Sequence, residues 1–406
     1  MSEIRTYKLE DLGFLGRGKS RHRPRNDASL FGGKYPFIQT GEVKAAEFYI
    51  NSYEATYNEK GLEQSKLWDP GTLLITIAAN IAETAILDIK ACFPDSILGF
   101  IPDEDKADVR YIKYYIDTIK LRMQSISKGT TQDNLSLEKL RSIDFEVPTL
   151  ETQQKIASIL SAFDDLIENN TRRIAILEET ARLIYREWFV HYRYPGHEKD
   201  HLVDSETDLG EVPEGWEVKK ILDVCELQTG KALKSKQFNE DGIGTKAVRI
   251  RNVRTNSSDT YTDEDFDGKY LVENGDILVG MDGDFHMCRW ADGQSVLVQR
   301  VARFRSKNDV NLSKYFFYWA IKKPIDFFNK TITGTTVAHL GKKHIKTIEI
   351  VLPPKEEWEK INKVFDPLYE QELFLRKKNK TLKKARDLLL PKLISGKIEV
   401  EDININ

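Results

Sequence analysis

The chain has 406 residues, 40% hydrophobic and 31% charged, with a formal net charge of −3; that length exceeds one ordinary core and suits two domains. No apolar run approaches the roughly 20 residues of a membrane span, and Met1-Ser2-Glu3-Ile4-Arg5 lacks signal-peptide character. Three dispersed cysteines, Cys92, Cys225 and Cys288, form neither a zinc knuckle nor a disulfide framework, which points to a soluble protein of a reducing cytoplasm.

Residues 1–150 read as a first mixed domain. Near its start, Gly13-Phe14-Leu15-Gly16-Arg17-Gly18-Lys19-Ser20 fits the phosphate-loop pattern of a nucleotide-binding ATPase. Such a loop needs a helix after it to hold phosphates. Arg21-His22-Arg23-Pro24-Arg25-Asn26-Asp27 comes next instead, so the segment reads as a flexible basic loop whose glycines let the backbone approach a phosphate. Short apolar runs broken by Gly, Pro, Asn and Asp, such as Tyr35-Pro36-Phe37-Ile38 and Thr72-Leu73-Leu74-Ile75, predict strands of a partly buried sheet. Asp88-Ile89-Lys90 resembles a nuclease fragment without a second placed carboxylate and reads as a surface strand end. A short aromatic helix at Tyr111-Ile112-Lys113-Tyr114-Tyr115 precedes a Gly129-Thr130-Thr131 loop and a strand ending at Pro148.

A long helix is predicted over 151–192, with Ile156, Leu160, Phe163, Ile167, Asn170, Ile174 and Leu177 alternating four and three apart. A polar linker, 193–212, leads to a second mixed domain, 213–353. There Ile277-Leu278-Val279 reads as a strand and Tyr315-Phe316-Phe317-Tyr318-Trp319 as an aromatic helix. A second long helix over 354–396 carries Ile361, Phe365, Leu368, Leu375, Asn379, Leu382 and Leu389 in the same register, and 397–406 is a tail. The 4-3 alternation is a coiled-coil seam. Forty residues of helix span about 60 Å, and a stripe of that length is not buried by the helix that carries it.

The two halves are one sequence written twice. Gly129-Thr130-Thr131 recurs as Gly334-Thr335-Thr336, an offset of 205 residues (334 − 129), and at that offset Leu135 falls on Leu340, Pro148 on Pro353 and Leu177 on Leu382 without a gap. Gly18-Lys19 matches Gly230-Lys231 once gaps are admitted. The second copy keeps Gly-Lys and loses the rest of the phosphate-loop pattern. A duplicated chain predicts an α+β fold: two similar mixed α/β domains separated by two long antiparallel coiled-coil helices, with pseudo-two-fold symmetry. In such a pair Asn170 and Asn379 come together and fix the register.

The remaining signals favour a DNA-reading surface. Arg17, Lys19, Ser20, Arg21, Arg23 and Arg25 occupy one basic loop, and Lys231, Lys234 and Lys236 its counterpart. Arg249, Arg251 and Arg254 alternate with apolar residues along an expected strand and its end, whereas the first half carries Gln39 and Thr40 there. Arginine reads guanine and glutamine reads adenine through bidentate bonds, so the halves are expected to prefer different bases. Thr130, Thr131, Thr335 and Thr336 of the repeated loops join the candidate set. The histidines and acids show no metal-ligand spacing, and neither a nucleophile motif nor an adenine-methyltransferase signature is present. Rival readings are a phosphate-loop ATPase, a protein-binding scaffold with twin domains, and a nuclease using Asp88 and Lys90.

In order along the chain, Gly18-Lys19-Ser20, Tyr35-Pro36-Phe37-Ile38-Gln39-Thr40-Gly41, Pro70-Gly71-Thr72-Leu73-Leu74, Gly129-Thr130-Thr131, Glu151-Thr152-Gln153-Gln154-Lys155-Ile156 and Pro213-Glu214-Gly215-Trp216 carry a resemblance to the specificity subunit of a Type I restriction-modification system. The second helix departs from it, opening Lys355-Glu356-Glu357-Trp358 without the Gln-Gln pair, which puts equal strength of two partner contacts in question. The resemblance implies two target-recognition domains, each reading half of a bipartite double-stranded DNA site. It also implies two methyltransferase subunits docked along the helices and restriction/translocase subunits beyond them. S-adenosylmethionine, ATP and Mg belong to those partners; this chain holds no cofactor or metal, does no catalysis and meets no membrane. Two readers on one face of a duplex sit about one turn, roughly 34 Å, apart, a separation that helices of about 60 Å can set.

Overall fold

The computed structural model describes residues 3–78, 80–127, 135, 137–332 and 338–400. It divides into two units, residues 1–169 with 380–406 and residues 170–379, and each long helix contributes a stretch to each unit.

In the first unit, strands Gly13–Arg17, Ile97–Pro102, Leu73–Thr76, Thr84–Leu87 and Tyr49–Ile50 form a sheet in that order. A second sheet runs Ala55–Tyr57, Phe31–Phe37, Ala91–Cys92 and Leu67–Trp68. The second unit repeats both. Cys225–Thr229, Val301–Ser306, Ile277–Gly280 and Met287–Arg289 follow the order of the first four strands. Tyr261–Thr262, Thr245–Val248, Ser295–Leu297 and Leu271–Val272 follow the other sheet, with Phe238–Asn239 added at its edge. The inner pair of that sheet is parallel in both units. The fully buried runs Leu73–Thr76 and Ile277–Gly280 explain why these strands read as continuous apolar stretches.

The aromatic helices are longer than the aromatic runs alone suggest: Val109–Ser127 and Lys314–Thr331. The alternation of apolar and polar residues beyond Tyr115 and Trp319 carries them on. Their inner faces, including Tyr111, Ile112 and Ile116 in one and Phe316, Phe317 and Ile321 in the other, enter the cores of their units. The expected linker 193–212 is not structureless. Leu202–Asp204 pairs with Glu211–Pro213 as a hairpin, and Tyr194 stacks on Trp216 at 5.1 Å. Ile398 and Val400, read as tail, pack against the first unit's core.

The long helices run Leu150–Phe189 and Lys355–Ile394. Gln153, fully buried, donates to the carbonyls of Lys106 and Pro148 at 3.0 Å each and accepts from the Asp108 amide at 3.2 Å. Its repeat counterpart Trp358 donates Nε1 to the carbonyl of Pro353 at 2.9 Å. The departure of Trp358 from the Gln-Gln pattern therefore preserves one contact, a side-chain donor that ties the helix start to the preceding proline. That contact is internal to each unit, and Gln154, the other member of the pair, is exposed.

Within each unit the two helix halves lie antiparallel. In the first, Ile156, Leu160 and Phe163 pack with Leu389 and Leu393, and Asp164 pairs with Arg386 while accepting from Tyr114. In the second, Phe189 and Trp188 meet Phe365. Glu372 accepts from Tyr315 and pairs with Arg289, whose guanidinium lies 3.8 Å from the Tyr315 ring centroid and 4.5 Å from that of Tyr318. Arg376 bridges Glu372 at 2.7 Å and Glu178 at 2.9 Å. Burial drives both carboxyls upward; Arg289 and Arg376 outweigh it at Glu372 and hold that group below its usual range, whereas Glu178 is raised by burial and the neighbouring Glu372 charge. The basic run 376–386 is thus no plain solvated face, because both its ends enter ion pairs with the other helix.

Ile167, Ile174, Ile361 and Leu375 are buried seam positions, and Leu177, Leu368, Leu382 and Leu389 are half-buried. Between them Asn170 donates Nδ2 to Asn379 Oδ1 at 2.8 Å, and Asn379 donates to Thr171 Oγ1 at 3.2 Å. The asparagines meet as the repeat arithmetic requires. A paired Asn in an apolar seam fixes register at a cost in stability. The double substitution Asn170→Leu with Asn379→Leu is expected to raise the thermal midpoint above wild type, and Asn170→Leu alone to lower it by leaving Asn379 with one partner fewer. A double variant less stable than the single one, measured by thermal unfolding, contradicts this role.

Candidate nucleic-acid interface

In both units the strand that enters the candidate loop ends where the chain crosses a neighbouring strand at minimal distance. The Gly18 amide donates to the Ile97 carbonyl at 2.9 Å, and the Lys19 amide to that of Phe93 at 3.0 Å. In the second unit Gly230 donates to Val301 and Lys231 to Leu297, both at 2.9 Å. A Cβ on Gly18 falls 2.3 Å from the Pro94 carbonyl oxygen, and one on Gly230 falls 2.1 Å from that of Val298. The repeated glycines are therefore fixed by this crossing; the expectation that they admit a phosphate is corrected. The lysine after each is still held by its backbone amide, and the chain leaves the sheet beyond it.

Beyond Gly18 the phosphate-loop reading loses its structural basis, because Gly13–Arg17 is a strand and only the turn Ala28–Leu30 comes after it among the described residues. Ser20 is 4% exposed, unlike the basic residues around it. The Arg21 and His22 amides both donate to Gln64 Oε1, at 2.6 and 3.0 Å, and Ser65 Oγ donates to the Lys19 carbonyl at 2.8 Å. Arg17 Nε donates to the Asp95 carbonyl at 2.5 Å; Arg25 pairs with the Asp95 carboxylate at 2.7 Å and Arg23 lies 3.9 Å from it. His22 Nε2 lies 2.7 Å from Asp27, whose carboxyl is pulled down to about 2 by the Ser29 amide first and by His22 after it. Three of the five guanidinium and ammonium groups are thus gathered around Asp95, while Lys19 and Arg21 point into solvent.

The matching loop of the second unit is organised by acids of another segment. Lys231 Nζ sits 2.6 Å from the Asp265 carbonyl and 3.1 Å from Glu264, and Glu264 accepts from the Lys234 amide at 2.9 Å. Lys234 and Lys236 are exposed.

The arginines 249, 251 and 254 do not lie on a strand. The strand ends at Val248, Arg249 is an N-cap, and Ile250–Thr255 is a helix. Asn252 Oδ1 accepts from the Arg249 amide at 2.9 Å and closes that turn. The first unit does the same: Gln39 caps the helix Thr40–Ala45, and Glu42 accepts from its amide at 2.7 Å. Spacing two apart suggested a strand, but the side chain three residues on, Asn252 or Glu42, satisfies the cap amide and bends the chain into a helix. Gln39 and Arg249 therefore occupy one structural position in two copies. Gln39 is exposed; Arg249 is half-buried, its guanidinium 5.2 Å from the Phe238 ring. Arg251 bonds Thr260 at 3.2 Å and Arg254 is exposed. Thr130, Thr131, Thr335 and Thr336 lie outside the described residues.

Sequence reading missed the organisers of these loops, Asp95, Gln64 and Glu264, and the nearby Lys66. Lys66 lies 3.6 Å above the Trp68 ring centroid, and its ammonium is pushed down by partial burial and by Lys19. None carries a local signal, because each meets its loop across dozens of residues of sequence. Asp88 and Lys90 do not form a site, since Lys90 pairs with Asp69 at 3.1 Å. Among the described residues no cluster of metal-ligating side chains is present, and no helix is long and apolar enough to cross a membrane.

The family model described as Type I restriction modification DNA specificity domain matches residues 1–179 and 213–384. The chain is 27% identical to the Type I restriction enzyme MjaIX specificity subunit of Methanocaldococcus jannaschii, over 98% of this chain and 94% of that one. It is 28% identical to the EcoBI specificity subunit of Escherichia coli over 50% of this chain and 44% of that protein. The crystal structure of a Type I restriction-modification S subunit from M. genitalium shares its fold, with a TM-score of 0.59, 16% identity and coverage of 97% of this chain and 96% of the other.

Neutralising Asp95 tests the electrostatics of the first loop. Asp95→Asn releases Arg25, while Arg23 stays bonded to the Ser20 and His22 carbonyls, so non-specific affinity for duplex DNA at low salt is expected to rise, and the slope of log K against log salt to steepen by about one. Unchanged affinity and slope in a filter-binding titration contradict the clamp.

Proposed function

Because the chain belongs to the Type I restriction modification DNA specificity family and is a specificity subunit with two target-recognition domains, we propose that each domain reads one half of a bipartite, asymmetric double-stranded DNA site. The observation that carries this reading is the pairing of a shared strand order with different residues at matched positions. Gln39 stands where the second unit has Arg249, and an Asp95-held arginine loop stands where the second has a Glu264-held lysine loop. One scaffold with two sets of donors suits two different base sequences.

The long helices act as spacer and scaffold. They set the distance between half-sites and offer their outer faces to two methyltransferase subunits, with restriction/translocase subunits joining that assembly. The chain supplies the address and performs no chemistry. S-adenosylmethionine for N6-adenine methylation, and ATP and Mg for restriction, are held by the partners. A cytoplasmic location accords with these partners and with three buried, unpaired cysteines.

Methylome sequencing of cells expressing this chain with its methyltransferase partner is the direct test. Adenine methylation is expected at a motif of two specified halves and an unspecified spacer, and exchange of residues 213–353 for those of a relative is expected to alter one half only. A continuous motif, or methylation that ignores the exchange, overturns the reading.

A further inference from the structure

The turn between strands Ser295–Leu297 and Val301–Ser306 holds Arg300 at a φ of +75°, a left-handed conformation that strains a residue with a Cβ. Its surroundings fix it there. The Met281 amide donates to the Arg300 carbonyl at 2.9 Å, and the Gln299 amide to that of Lys231 at 2.8 Å. The turn is thereby stitched to the Gly230-Lys231 loop on one side and to the end of strand Ile277–Gly280 on the other. The Arg300 side chain is 52% exposed, with Nε 3.2 Å from Asp282 Oδ2. The same carboxylate lies 2.6 Å from His339 Nδ1.

The first unit builds the same turn with the same backbone bonds, Ile77 donating to the Ser96 carbonyl at 3.0 Å and Gly18 to Ile97 at 2.9 Å. There the turn carries Asp95 and Ser96 in place of Gln299 and Arg300. The turn's charge thus changes sign between the units, with the acid at one position of the first and the guanidinium one position later in the second. In the first unit the turn supplies the acid and the loop supplies guanidiniums to it; in the second the turn supplies the guanidinium itself.

We propose that Arg300 is a DNA-contacting residue of the second domain, which exchanges Asp282 for a pair of acceptor atoms on the duplex. A carboxylate presents two acceptors to a guanidinium edge, as do two phosphate oxygens and as do O6 and N7 of guanine. Asp282 keeps its hydrogen-bonding contact with His339 when Arg300 leaves, so its carboxylate is not left without a partner. The proposal rests on the DNA-reading function above, and it accounts for a strained arginine where glycine fits the backbone better.

The test is Arg300→Gly in the full chain, assembled with its methyltransferase partner and titrated on duplexes bearing the methylated motif of the wild-type complex. Glycine suits the left-handed backbone, so the melting temperature is expected to stay or rise, while affinity for the motif falls about tenfold. A phosphate contact lowers affinity equally on all sequences and reduces the salt slope by about one; a guanine contact instead makes one position of a single half-site degenerate. Wild-type affinity and preference in Arg300→Gly overturn the proposal, and so does a lower melting temperature, which assigns the residue to fold support. A wild-type complex with no preference for any duplex overturns the parent reading and not this contact alone.

Discussion

An apolar stripe along a forty-residue helix has to be covered along its whole length, and that requirement organises this chain. Neither long helix satisfies it within one unit. Leu150–Phe189 and Lys355–Ile394 each give part of their length to each unit, and in each unit the helix segment of one repeat covers that of the other. Within each unit the domain is fastened to its own helix segments. Tyr114 reaches Asp164 in the first unit, and Tyr315 with Arg289 reaches Glu372 in the second. These groups are buried, so a domain that shifts on its helices strands charge away from water, at a cost of several kcal/mol, about 3–5 when one partner of a buried pair is lost. The apolar seam supplies the attraction, and the buried ion pairs and Asn170–Asn379 supply the register.

From that base the sheets deliver two loops by one backbone route. The crossing at Gly18 and Gly230 leaves no room for a Cβ, which is why Gly-Lys survives in both copies while the residues after Lys19 and Lys231 diverge. Among the divergent positions are side chains that leave the sheet: arginines around Asp95 in one unit, lysines around Glu264 and the Arg300–Asp282 pair in the other. A scaffold fixed by packing and a rim free of packing is the division of labour that specific recognition by a repeated domain requires.

Much of this was legible in the sequence, because repetition and periodicity are local or arithmetic. The offset of 205 residues aligned Asn170 and Asn379 closely enough to place them in contact, and 4-3 spacing marked both helices. The features that escaped were long-range or capped. Asp95 meets Arg25 across 70 residues, and composition near either residue says nothing of the other. The arginines at 249, 251 and 254 mimic a strand until Asn252 is seen bonding the Arg249 amide. The polar segment 193–212 hid a hairpin, since of its paired strands only Val212 and Pro213 are buried and no period-two apolar pattern results. The Gln-Gln pattern at the helix start pointed toward a partner, whereas the hydrogen bonds of Gln153 turn inward.

The central claim is that the helix pair measures the distance between two DNA readers. It is tested most directly by inserting four residues, about 6 Å of helix, into both long helices at the level of Asn170 and Asn379, then reading the methylated motif of the assembled complex. The account predicts the same two half-sites separated by a spacer about two base pairs longer, at about 3.4 Å per base pair. An active complex that methylates with the original spacer contradicts it.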